Sequence, residues 1–149
     1  MKKIGEFTCR GSIQGNGALN TALPTERISL FDGSFSTAYK VIEFKILTMD
    51  AESYGILSTE DVGIAGNILV RAQDAADNRQ IAWSSSPSNS YDGDEYVDTD
   101  NLVVEDLFVN LASTAVTSAK VSYVIKMEKY SISSWQGALA MVRSKSQDV

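Results

Sequence analysis

From Lys120 to Tyr130, side-chain character changes with a period of two: Val121, Tyr123, Ile125 and Met127 fall on one side, Ser122, Lys126 and Glu128 on the other. Successive side chains of a strand point to opposite faces, so this segment has to lie with one face buried and one face wet. A helix would mix the two sets. A chain with such a segment needs a sheet around it and a second layer to cover the apolar side.

The same period recurs along the chain. Glu6 to Ile13 alternates through Phe7, Cys9, Gly11 and Ile13. Between Glu26 and Leu47, Asp32-Gly33 separates Ile28, Leu30 and Phe31 from the run Tyr39 to Leu47, which predicts a two-residue hairpin turn. Strict alternation then sends Ile42, Phe44 and Ile46 one way and Val41, Glu43 and Lys45 the other. A second hairpin is predicted from 67–71 and 79–83 around Asp74–Asn78, with further strands at Tyr54–Ser58 and Leu102–Leu111. The expected fold is mainly β, with seven or eight antiparallel strands spaced as in a sandwich or barrel.

One segment has a helical period. Trp135, Ala138, Leu139 and Val142 recur at i, i+3, i+4 and i+7, with Ser133 or Ser134 to cap the start and Arg143 and Lys145 near the end. The chain is read as one domain over residues 1–149. Within it 1–20 form a partly flexible N-terminal strand and arm, rich in glycine from Gly11 to Asn20, and 134–146 form a C-terminal helix. Residues 84–100, rich in Ser, Asn, Asp and Gly, read as a long loop.

Composition narrows the chemistry. There is no histidine, which removes the commonest general base and metal ligand, and the single cysteine, Cys9, excludes an internal disulfide. Cys9 is expected to be a small buried hydrophobe. The net charge is −6, and residues 51–100 hold the whole imbalance, with only Arg71 and Arg79 against a run of acids. A phosphate-binding protein needs a basic face, so nucleic acid is not an expected partner, and with apolar runs well short of the ~18 residues of a bilayer span neither is a membrane. The start lacks an apolar stretch after Lys2-Lys3, so synthesis and folding in a cytoplasm are expected.

No constellation carries catalysis. Asp92 to Asp100 clusters carboxylates that would suit calcium, but its glycine and glutamate do not fit an EF-hand loop. Glu43, Glu95, Glu105 and Asp106 include no pair that the sequence singles out for glycoside hydrolysis, and Gly11–Gly17 is not a phosphate loop. Trp83 is expected in the core, with Tyr91 and Tyr96 candidates for exposed rings that stack on sugars. No catalytic, cofactor-binding or metal residue is assigned, no cofactor is expected, and the chain is read as a non-enzyme.

Arg27-Ile28-Ser29-Leu30-Phe31-Asp32-Gly33 with its following strand, and the alternating Val121–Met127 strand running into a short terminal helix, resemble small structural proteins of bacteriophage virions. The resemblance covers the style of the whole chain and transfers no residue role. It implies a jelly-roll-like or related antiparallel sandwich serving as a capsid or capsid-decorating subunit in the virion, a homo-oligomer whose partners are its own copies and other virion proteins. A phage tail or fibre component and a carbohydrate-binding sandwich are the alternatives. Ile13, Leu19, Trp135, Leu139 and Val142 are the expected subunit contacts, and deletion of residues 1–20 is expected to leave a folded monomer that assembles poorly.

Overall fold

The computed structural model describes residues 1–14, 24–31, 33, 36–47, 52–61, 73–86, 93–113, 120–133, 136 and 139. Among them the chain forms eight strands: β1 (Lys2–Gln14), β2 (Glu26–Ser29), β3 (Thr37–Leu47), β4 (Ser53–Ser58), β5 (Gln80–Ser86), β6 (Asp94–Val97), β7 (Asp106–Ser113) and β8 (Lys120–Ser131). They make two antiparallel sheets, a three-stranded one in the order β1-β8-β3 and a five-stranded one in the order β2-β7-β4-β5-β6.

The alternation of β8 is realised as read. Val121, Tyr123, Ile125 and Met127 are buried, and they meet Val41, Phe44 and Ile46 of β3 and Leu57, Ile81, Leu107, Val109 and Leu111 of the facing sheet in one cluster. Burying a side chain of this size stabilises by about 1.5–3 kcal/mol, and the sum over both inner faces holds the sheets together. A smaller cluster of Ala38, Val104 and Ile132, with Phe31, Leu102 and Tyr130 against it, closes one end. Across the β1–β8 ladder Tyr123 lies over its partner Gly11, where a β-carbon would fall 2.5 Å from the phenol oxygen. Burial, and after it the neighbouring Glu26 carboxylate of β2, push the Tyr123 phenol well above its ordinary value.

Several expectations are corrected. Gly33 does take positive φ, at 90°, but no hairpin results: β2 pairs with β7 and β3 with β8, so the chain crosses from one sheet to the other there. Strict alternation fails in β3 because the register slips between Val41 and Glu43. Ile42 is the extra residue of a bulge; it points outward, 41% exposed, while Val41 and Phe44 both face the core. The supposed long loop 84–100 contains the end of β5 and all of β6. Gly11 to Gln14 are the end of β1, paired with Tyr123 to Lys120, so the arm cannot begin at Gly11. Deletion of 1–20 would therefore remove a whole paired strand. Residues 67–71 and most of 134–146 lie outside the described residues.

Candidate functional site

The side chains with the most chemistry gather where β5 and β6 meet β3. Trp83 stands opposite Tyr96, Ser84 opposite Glu95 and Ser85 opposite Asp94 in the β5–β6 ladder. Because strand residues alternate, the pairs divide between the two faces of the sheet. Trp83 and Tyr96 go to one face, with ring centroids 6.2 Å apart and planes tilted by 40°. Trp83 is half-buried rather than a core residue, and Tyr96 is 70% exposed. The indole is fixed by its Nε1–H, which donates to Gln80 Oε1 at 2.7 Å. With Gln73, Ser84, Ser85, Asp94 and Glu95 these rings line an open cleft of about 160 Å³.

The other pair closes a seam between the sheets. The Phe44 N–H donates to Glu95 Oε2 at 2.9 Å, and the Ile46 N–H donates to Ser84 Oγ at 3.3 Å, which itself donates to the Asp94 carbonyl at 3.3 Å. Further along the same edge of β3, Tyr39 exchanges two backbone hydrogen bonds with Val103, each 2.8 Å. These contacts satisfy edge amides that no laddered strand reaches. Burial raises the Glu95 carboxyl above its ordinary value; the Phe44 N–H pulls it down, Glu43 pushes it up and Lys45 pulls it down.

The other carboxylates considered for acid–base work hold structural partners. Glu43 is 3.5 Å from Lys126 Nζ, and Asp106 is 3.1 Å from Arg27. Glu43 lies close enough to Glu95 for its charge to act on that carboxyl. Within the acidic stretch, Asp98 accepts from the Asp100 N–H and the Asn101 side chain at 3.1 and 2.6 Å, which shapes its turn. Among the described residues no group of three or more potential ligands is placed to hold a metal ion. Burial raises the half-buried Cys9 thiol, with the Glu26 charge adding to it, which is the reverse of what a reactive cysteine needs. Among the described residues no helix is long and apolar enough to cross a membrane.

Of the expected subunit contacts, Ile13 is 7% exposed and belongs to the inter-sheet core. Leu139 is exposed. Leu19, Trp135, Val142 and the ring of Tyr91 lie outside the described residues. Sequence reasoning offered Tyr96 as an exposed ring but placed Trp83 in the core, and it missed the roles of Ser84 and Glu95, which depend on a strand far away in the chain. Comparison of this chain with protein-family models, with curated proteins and with solved structures finds no match.

Proposed function

We propose that the chain is a jelly-roll subunit of a virus particle, in the capsid or decorating it, and that it works by repeated contacts with its own copies and other virion proteins. Strand order is the observation that carries this reading. An eight-stranded ribbon doubled over and wrapped into two sheets sets strand 1 beside 8, 2 beside 7, 3 beside 6 and 4 beside 5. Here β1 lies beside β8, β2 beside β7 and β4 beside β5, and β3 meets β6 through the Phe44–Glu95 bond. The departure is β6, which ladders with β5 instead of β3. Jelly rolls recur in capsid proteins, lectins and cupins, so the role has to come from the surface rather than the fold. That surface is acidic in the middle third of the chain, which favours a shell or outer position over one against packaged nucleic acid.

The test is the composition of particles. Virions banded on a density gradient from the source culture should contain this chain at a fixed copy number by quantitative mass spectrometry. Its absence from every particle fraction would sink the reading, and gold-labelled antibody would separate shell from tail or fibre.

The Trp83–Tyr96 cleft supports one second reading, a sugar-binding sandwich. Two ring faces beside carboxylate and carboxamide groups suit a flat apolar ligand with hydroxyl groups at its edge. A glycan array on which wild type binds and Trp83→Ala does not would establish it; an empty array would dismiss it.

A further inference from the structure

The seam at β3 leaves β1 as the open edge of its sheet. β1 runs for 13 residues, most of them exposed, and among the described residues no strand takes its outer side. A long, unprotected edge is a template for another strand. The charge pattern across the outer face says which strand fits. One row runs Glu6–Glu128–Lys40, with two carboxylates directly opposite each other and Lys3 reaching both at 2.9 and 2.6 Å. Four residues along, past the row Thr8–Lys126–Glu43, the row is Arg10–Val124–Lys45, with two cations and no anion, and Arg10 has no ion-pair partner among the described residues.

We propose that two copies of this chain pair β1 against β1 in antiparallel fashion, with the twofold axis at Thr8, so that Glu6 of each lies opposite Arg10 of the other. The register has two independent supports. Placing Thr8 opposite its own copy sets Lys2 opposite Gln14, so it is the register that overlaps the whole strand. It is also the one that brings an arginine to the acid-rich row and a glutamate to the basic row, twice by symmetry. Shifting the axis to Phe7 sets Arg10 against Ile4, and shifting it to Cys9 sets Arg10 against Thr8; neither pairs the charges. The bulge between Lys3 and Gly5 lies outside the regular stretch Gly5–Gly11 around the axis. The product is one continuous sheet through both subunits. The inference stands on this strand and not on the virion reading, whose own test is particle composition, so the two fail separately.

Analytical ultracentrifugation over a concentration series tests it on the full chain, with circular dichroism to show that each variant is folded. Wild type is expected to dimerise. Each single reversal, Glu6→Arg or Arg10→Glu, replaces two attractions by two repulsions and should weaken the dimer roughly tenfold or more, while the double variant should restore it. In a Cys9→Ser background, Thr8→Cys should cross-link to its own copy under mild oxidation and Ser12→Cys should not. A wild type that stays monomeric, a dimer indifferent to both reversals, a double variant that stays weak, or equal cross-linking at both sites would overturn the proposal.

Discussion

At the scale of single residues, two carboxylates act on stability in opposite directions. Asp77 ends the turn into β5. Its carboxylate accepts from the Arg79 backbone N–H, Nε and Nη2 at 3.0, 2.9 and 2.7 Å, and its own side chain is only 7% exposed. The Arg79 hydrogen bond, acting against burial, holds the Asp77 carboxyl below its ordinary value. A lowered carboxyl contributes stability that is present above the ordinary aspartate range and is lost as pH falls through the lowered value. Asp77→Ala should therefore cost about 2–3 kcal/mol at neutral pH in urea denaturation, with the difference from wild type shrinking on acidification. Glu95 has the opposite sign. Its carboxyl is raised, chiefly by burial, so ionisation weakens the fold as pH rises through that raised value. Glu95→Gln keeps a carbonyl oxygen for the Phe44 N–H and has nothing to ionise. Relative to wild type it should gain stability as pH rises from about 4 to about 7; a constant difference across that range would refute the assignment.

Among the elements, β3 shows where a pattern can be read and where it cannot. β8 is regular and pairs on both sides, so its period of two survives intact from sequence to structure. In β3 one inserted residue reverses the phase, and nothing in the composition of Val41-Ile42-Glu43 announces it. Ile42→Thr should change stability by no more than about 0.5 kcal/mol, whereas Phe44→Ala should cost about 3–5 kcal/mol. Equal losses at the two positions would mean that strict alternation holds after all. The Asp32-Gly33 signal was legible as a demand for positive φ but not as a destination, because a turn's conformation does not say which sheet the chain enters next. β6 was hidden for another reason. An edge strand whose Asp94, Glu95 and Tyr96 are all exposed has no apolar face to alternate with a polar one. Its contribution, a carboxylate on the β3 edge, is a contact over 51 positions of sequence, and no local pattern encodes it.

For the whole molecule, the decisive contact joins the two ends of the described sandwich. β1 pairs with β8 from Lys2–Ser131 to Gln14–Lys120, and its Ile13 enters the core beside Val121. Such pairings, between segments most of a chain apart, are closed against the largest loop entropy and make folding slow, in the range of milliseconds to seconds for sandwiches. They also make the first strand separable. A chain covering residues 15–149 keeps the partners within the five-stranded sheet, but β8 then presents a bare edge and Tyr123, Ile125 and Met127 lose their cover on one side. Near-UV circular dichroism of that truncated chain should be much reduced and dye binding to exposed apolar surface increased. A synthetic peptide of residues 1–14, added in excess, should restore the native signal, because everything β1 supplies is contained in it: ladder bonds, the Ile13 side chain and the glycine under Tyr123. A truncated chain with native spectra and undiminished stability would show instead that β1 is an appendage and that the sandwich is complete without it.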